Sequence, residues 1–491
     1  MEWSDYSGGL YLTDDGANMM TVPRNALIQC ENAEPLPSGG LRGRRGRAVY
    51  TTAGTDPDTG LAIGQTIFLF RHYPRTGDAS FVAAWDNGTN VVIRKDTAGT
   101  GNFTTVTGGT GHLPGHRIFA TNWPDRNLTF MANGTTAFGI QRYDNVGLAQ
   151  VSTTAGVAVN GPYLHVWKSR LWATLDDIVY ASDLLDEKKF NGENALNVSD
   201  NEGGAITGIN SVGDFLIILK KTSLWRFNGD IVFGGQLTQY GDLGCIAPLT
   251  VQRTPYGIMF LARDGLRLTD GQNTETIELS RPIRPLFVSR SGQTTYPDAV
   301  GVWHPRKMSY YLSLAPQGST VYALHMVQTA NGLGYWWSKL TNTTLYSAAV
   351  WDSENDTGQL FFGSSSGFIW QQDTGLLDVA DTITTTVQVS ASPFVPERLF
   401  AGRATYAKAL FRGSSPLTVG LRYDNHVSDD ITVSLGVTQA VGMQDPRAVV
   451  SPDKHGQFLS LTATHTDSYD FELHDLRTDD TVRGHRRWRF K

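Results

Sequence analysis

The sequence is short of cysteine, short of charge, and has no long apolar run. Of its 491 residues only Cys30 and Cys245 are cysteines, too few for a disulfide scaffold. Two free thiols in a chain folded in the cytosol are expected, with one bridge between them as the alternative. Charged residues make up 18% of the chain, below the roughly 25% of an average globular domain. The net charge of −6 excludes a globally basic nucleic-acid binder, though not local basic patches. The longest apolar run, Phe215–Leu219 (FLIIL), has strand length and falls well short of the ~18 residues of a spanning helix, so no membrane-spanning segment is expected. The opening MEWSDYSGGLYL has neither the basic region nor the apolar run of a secretory leader. Helical periodicity is scarce; Leu184–Phe190 (LLDEKKF) reads as two turns at most.

What is abundant is turn and strand chemistry. Aromatics reach 11% and glycine occurs 52 times; aromatic and β-branched side chains fit a pleated surface, and glycine supplies the positive φ of tight turns. Short apolar runs recur about every 40 residues. The groups are Thr66–Tyr73, Ser80–Trp85 and Asn90–Lys95; Arg117–Thr121, Asn127–Met131 and Thr136–Tyr143; Tyr163–Lys168, Arg170–Thr174 and Asp177–Ser182; and Ala205–Ser211, Phe215–Lys220 and Ser223–Asn228. They continue with Thr250–Arg253, Gly257–Ala262 and Leu266–Asp270; Ala299–His304, Lys307–Leu314 and Thr320–His325; and Tyr346–Trp351, Gln359–Gly363 and Phe368–Gln372. Several hairpins carry Asn-Gly, Asp-Gly or Ser-Gly, strong short-range turn signals. Each group holds the content of one propeller blade, which has two apolar faces and is stable only between neighbours.

The expected fold is therefore all-β: a six- to seven-bladed β-propeller over 49–377, preceded by an extended N-terminal arm (1–48) and followed by a β-sandwich-like domain with a basic tail (378–491). Unrelated β-sandwiches are the competing reading of the same spacing.

Searches for chemistry return little. There is no HExxH or C-x-x-C, so no zinc site, and no nucleophile elbow or phosphate-binding loop is read. Residues 108–115 (GGTGHLPG) read as a turn. Asp352, Glu354 and Asp356 before Gly358 resemble half of a calcium loop, but Gly363 stands where the bidentate acid belongs, and a solvated loop is the better reading. Propeller glycosidases need paired carboxylates, and the S-x-D-x-G-x-T-W box is missing. No catalytic, cofactor-binding or metal residue is expected, and the chain is read as a non-enzyme. Two basic clusters remain as candidate subunit or DNA contacts: Arg42, Arg44, Arg45 and Arg47, and the tail residues Arg486, Arg487, Trp488, Arg489 and Lys491. Docking on acidic patches of neighbouring subunits suits arginine and tryptophan; sequence-independent phosphate contact with DNA is the alternative.

The N-terminal order Gly8-Gly9-Leu10, Val22-Pro23, Asn25-Ala26, Cys30-Glu31-Asn32-Ala33, Gly40-Leu41-Arg42 and Arg44-Arg45-Gly46 resembles the opening of β-propeller virion proteins of tailed phages, such as the tail hub or nozzle of short-tailed phages, the hub also being described as a packaged-DNA stabilisation protein. Further likeness lies in Leu261–Thr269, Ser280–Ile283 and Leu360–Gly375. The resemblance implies a structural protein of the virion tail, folded in the host cytoplasm. It would form a homo-oligomeric ring, usually a hexamer, beside portal, adaptor or other tail proteins. That ring would surround the DNA channel, retaining the packaged genome and allowing its ejection. A carbohydrate-binding or glycan-cleaving propeller at the virion tip is the alternative.

Overall fold

The computed structural model describes residues 2–3, 5–12, 22–23, 25–36, 39–51, 64–151, 155–198, 204–289, 292–329, 332–351, 358–393, 402–423, 431–437, 443–450, 458–467 and 471–482. Among these the chain is all-β, with short 3-10 turns as its helical elements. Seven units of four antiparallel strands follow one another, the third joined by a short parallel strand, Ala155–Gly156, an arrangement consistent with propeller blades. The first sheet holds Gln65–His72, Ser80–Asp86, Val91–Asp96 and Thr104–Thr105; the second Phe119–Trp123, Leu128–Ala132, Ile140–Tyr143 and Leu148–Gln150. The third holds Leu164–Trp167, Arg170–Leu175, Ile178–Asp183 and Asp186–Asn197; the fourth Ile206–Val212, Phe215–Lys220, Leu224–Asp230 and Gly234–Gly241; the fifth Gln252–Thr254, Gly257–Ala262, Gly265–Thr269 and Ile277–Glu278. The sixth unit is Val300–His304, Ser309–Ser313, Thr320–Thr329 and Gly332–Thr341. The seventh takes Ser347–Trp351, Gln359–Gly363 and Ile369–Gln372, and its fourth strand is Arg47–Thr51, from the other end of the chain.

Side-chain alternation builds the contacts between sheets. In Ser80–Asp86, Val82 and Ala84 pack into the core shared with the second sheet, while Phe81, Ala83 and Trp85 pack into the core shared with the seventh. In Phe215–Lys220, Leu216 and Ile218 face the third sheet, and Ile217 and Leu219 the fifth. A strand buried on both faces reads as a continuous apolar run, which is why FLIIL shows no polar alternation. Each large apolar side chain so buried contributes ~1.5–3 kcal/mol. The first strands of consecutive sheets lie side by side, and the first strand of the seventh lies against that of the first.

The C-terminal strands form two layers around a shared core. One layer continues the sixth sheet through Ala26–Glu31, Ile383–Val389, Phe458–Asp467, Leu417–Tyr423 and Ile431–Leu435. The other holds Ala33–Pro35, Leu41–Gly43, Glu472–Val482 and Gly402–Arg412. Phe411, Leu421, Leu461 and Leu473 belong to one apolar cluster that also takes in Trp303, Leu324 and Trp337 of the sixth sheet and Leu261 and Leu268 of the fifth.

Two sequence expectations change here. The stretch before residue 48 is not an extended arm: Glu2–Trp3 and Leu41–Gly43 pair with Glu472–Val482, and Ala26–Glu31 pairs with Ile383–Val389. Only short pairings are local, Ala33–Pro35 with Leu41–Gly43 and Gly9–Leu10 with Ala26–Leu27; the rest reach to the far end of the chain, so local periodicity does not reveal them. Nor is Leu184–Phe190 helical. Leu185 has φ +57 at a hairpin tip, and Glu187 is drawn into a strand by Arg126 at 3.0 Å and Arg142 at 3.5 Å.

The two parts of the molecule are joined around Asn32 and Arg44. Asn32 has φ +54, a conformation asparagine tolerates better than most residues. Its side-chain oxygen accepts from Arg44 Nε (2.9 Å) and from the Thr341 amide (3.0 Å), and its Nδ2 donates to Thr341 Oγ1 (2.7 Å) and the Thr384 carbonyl (2.8 Å). Buried Arg44 forms a fork with Asp378, at 2.8 and 2.5 Å. Beside it a Cβ on Gly46 would stand 1.9 Å from the Leu377 carbonyl oxygen, so only glycine fits. Removing one partner of a buried pair leaves an uncompensated charge. Arg44→Ala is therefore expected to lower unfolding free energy by about 3–5 kcal/mol, read as a shift of the urea midpoint. A shift indistinguishable from that of an exposed control, Arg75→Ala, would show that the fork is not a fastening.

Candidate functional site: an axial cavity and the basic clusters

The first basic cluster is largely spent within the chain. Arg42 pairs with Glu34 at 3.2 Å, Arg44 with Asp378, and the Arg47 guanidinium lies 4.6 Å from the centroid of the Trp370 ring. Arg45 alone of the four is fully on the surface. The tail candidates Arg486, Arg487, Trp488, Arg489 and Lys491 lie outside the described residues, as does the acidic loop at Asp352, Glu354 and Asp356.

Close to the first cluster is a charged group, buried at Glu34 and half-buried at Lys307 and Asp373, that no sequence motif announced. Lys307 Nζ reaches Glu34 Oε1 at 2.8 Å and Asp373 Oδ1 at 2.6 Å. Burial pushes the Glu34 carboxyl up, but Lys307, His325 and Arg42 outweigh it and hold it at about 2. Asp373 goes the other way: burial raises it despite Lys307. His325 stands between two hydroxyls, Ser309 Oγ at 3.0 Å and Ser338 Oγ at 2.9 Å, and a neutral imidazole can donate to one while accepting from the other. Burial holds it at about 4, against the pull of Glu34.

A cavity of about 550 Å3 opens where the first strands of all seven sheets converge. Its wall combines apolar side chains such as Phe70, Ile209 and Val302 with Arg71, His165, Asn210, Gln252 and Arg253. No aspartate or glutamate lines it among the described residues, so it does not hold the carboxylate pair that glycoside hydrolysis generally uses. Arg71 lies 4.7 Å from the Tyr73 ring centroid and 5.4 Å from that of Trp351. His165 Nε2 is 2.9 Å from Ser211 Oγ, and burial, then the charge of Arg253, hold the imidazole at about 4. A second cavity of about 580 Å3 lies at the start of the first strands and shares Ile67 and Tyr346 with the axial one. At that junction the Arg117 guanidinium sits 3.8 Å over the Tyr346 ring and donates to the carbonyls of Ile67 (3.3 Å) and Tyr346 (3.0 Å). A volume near 550 Å3 matches a small-molecule pocket (~300–1,000 Å3) and not a passage for duplex DNA.

The sequence reading found no nucleophile elbow, yet a Gly-x-Ser-x-Gly string does occur at Gly363–Gly367. It forms a hairpin turn between Gln359–Gly363 and Ile369–Gln372, with Ser364 and Ser366 hydroxyls 3.0 Å apart. An elbow instead links a strand to a helix. Among the described residues no group of three or more His, Cys, Asp or Glu side chains is placed to hold a metal ion. Cys30 and Cys245 are free and buried, and burial pushes their thiols up to about 12 and about 11.

The structure is thus an all-β assembly of small antiparallel sheets with one acid-free axial cavity. No family model matches the chain, and no curated protein matches it. Among solved structures it shows a likeness to KlHsv2 with loop 6CD replaced by a Gly-Ser linker, at 8% identity, 56% coverage of this chain, 97% of that one and a TM-score of 0.29, too low to carry an argument.

The buried histidines make stability pH-dependent. His72, His165, His304 and His325 are held at about 4, in each case first by burial, whereas an unfolded histidine titrates near ~6.5. The unfolded chain therefore binds more protons within that window, and stability falls as pH drops from about 6.5 toward 4. The urea midpoint should decline steadily between pH 7 and pH 4.5, and His325→Gln should flatten part of that slope. A midpoint constant from pH 7 to pH 5 would contradict this.

Proposed function

We propose that the chain is a structural protein of a phage tail, a hub, nozzle or adaptor, whose copies form a ring around the DNA channel. In this role it retains the packaged genome and later lets it pass, and it needs no catalytic residue. We read the seven sheets as a closed seven-bladed propeller, since each apolar cluster bridges consecutive sheets and one bridges the seventh to the first. A hexamer, in contact with portal and other tail proteins of the virion, is the assembly the resemblance implies.

The observation that carries the reading is where the resembling residues fall. Cys30-Glu31-Asn32-Ala33 and Arg44-Arg45-Gly46 surround the joint: Asn32 and Arg44 bond each other, and Gly46 lies against Leu377. Gly9 belongs to the same region, where a Cβ would meet the Trp336 side chain at 2.6 Å. The likeness therefore concerns how the two parts of the molecule are fastened, an architectural property, and not a patch of surface. The axial cavity is too small for duplex DNA, so on this reading the lumen is enclosed between subunits, through a heterologous interface that closes on itself.

Apolar side chains stand exposed at turns between the third and fourth strands of the second, third and fourth sheets: Val146, Leu184 and Phe233, the last 90% exposed. In a propeller these turns share one end, where they supply contacts for a neighbouring copy. Size-exclusion chromatography and negative-stain imaging of the purified chain with its neighbours should reveal a ring or incorporation into particles. Phe233→Asp should leave the unfolding midpoint unchanged and weaken ring formation about tenfold or more. A monomer that retains or hydrolyses glycans would replace this reading with the carbohydrate one. Deleting Arg486–Lys491 should impair particle assembly, and normal infectious particles would refute the tail's role as an anchor.

A further inference from the structure

The ring reading makes no use of the axial cavity, whose charge is unlike that of the chain around it. The chain carries a net −6, yet the cavity wall presents two arginines and no carboxylate. Exposed arginines normally pair with an acid or stand in solvent. Arg253, an exposed residue at the edge of a concave wall of mixed polar and apolar character, has no carboxylate partner among the described residues. Low-dielectric walls concentrate the field of such a group and raise the local concentration of anions.

Its neighbours are donors. Gln252 adjoins it in the same strand, and its amide has no partner among the described residues. Asn210, on the first strand of the preceding sheet, uses its oxygen to accept from the Ser211 amide, leaving Nδ2 without a partner among the described residues. Trp303, on the first strand of the following sheet, is 6% exposed, and its indole N–H is buried without a partner. That indole N–H is enclosed by protein, so Asn210 and Gln252 are the neutral donors that face the cavity.

We propose that the axial cavity binds a small oxyanion, the phosphate or carboxylate of a small molecule, with Arg253 as the principal charged contact and Asn210 and Gln252 as neutral donors. The guanidinium is built for this, since its planar fork matches two oxygens at once. An anion occupies only part of 550 Å3, and the apolar wall at Ile209 and Val302 accommodates an organic body attached to it. Neutral His165 faces the same space, 2.9 Å from Ser211, and adds a bonding group without competing for the charge.

The test is isothermal titration calorimetry of the full chain with inorganic phosphate and, separately, with acetate. Saturable phosphate binding at one site per chain is expected, weakened at least tenfold in Arg253→Ala, less in Arg253→Lys, and unchanged in Arg75→Ala, which alters an exposed arginine outside the cavity. Gln252→Ala provides a second, milder change on the same wall and should weaken binding several-fold. Acetate binding as well would mark a general oxyanion site, and phosphate binding alone a tetrahedral one; both support the proposal. No saturable heat from either anion, or equal affinity in the wild type and Arg253→Ala, would overturn it. The outcome is independent of ring formation, because the cavity lies within one chain.

Discussion

The Asn32–Arg44–Asp378 network fixes the point where the N-terminal segment leaves the C-terminal layers and enters the seventh sheet. Arg44 sits between the last strand the N-terminal segment lends to the C-terminal layers and the strand Arg47–Thr51 that it lends to the seventh sheet. Its fork with Asp378, just past that sheet, fixes the point at which the N-terminal segment crosses from one part to the other. Backbone bonds run on both sides of it, from Thr374 N to the Gly46 carbonyl (3.0 Å) and from Val379 N to the Arg47 carbonyl (2.9 Å). A buried ion pair is weak evidence for stability in general, because desolvation can exceed the Coulombic gain. Here the Arg44 guanidinium is itself fully bonded, Nε to Asn32, Nη1 to Asp378 and the Arg45 carbonyl, and Nη2 to Asp378, the condition under which such a network specifies one arrangement.

That crossing matters because the sheets cannot stand alone. Each strand such as Ser80–Asp86 is apolar on both faces, so a sheet without neighbours on both sides would expose a hydrophobic surface. The seventh sheet lacks a local fourth strand and takes Arg47–Thr51 from the opposite end of the chain. Its pairing with Ile369–Gln372 therefore closes a loop of more than three hundred residues, which places this step late among the contacts of folding, since loop entropy must be overcome before long-range pairs form.

Much of this was legible in the sequence, and what was missed has physical causes. The run Arg170–Thr174 followed by Asp177–Ser182 matches the strands Arg170–Leu175 and Ile178–Asp183 almost residue for residue, because alternation and turn chemistry are local. The turn before them was not singled out: Lys168 and Ser169 both take positive φ, at +49 and +55, without a glycine to signal it. Glu2–Trp3 and Ala26–Glu31 are hidden because partner strands lie hundreds of residues away, and Glu187 reads as helical because its arginine partners come from the second sheet and the 3-10 turn within it. Basic character was visible in residues 42–47, but its use was not. Composition cannot say that Arg44 faces Asp378 while Arg253, in a short strand with nothing to recommend it, faces an acid-free cavity.

Those placements also redistribute what the arginines can do. A cation already bonded to a buried carboxylate has little left to offer a phosphate backbone, so counterion release of the kind that drives DNA binding would have to come from other groups. Of the first cluster only Arg45 stands clear, and one charge gives a shallow salt dependence. A chain of net negative charge that surrounds DNA without gripping it would impose little friction on a moving duplex. Were copies of the chain to form a ring, this cluster would supply little phosphate affinity to it, since Arg42, Arg44 and Arg47 are engaged within the chain.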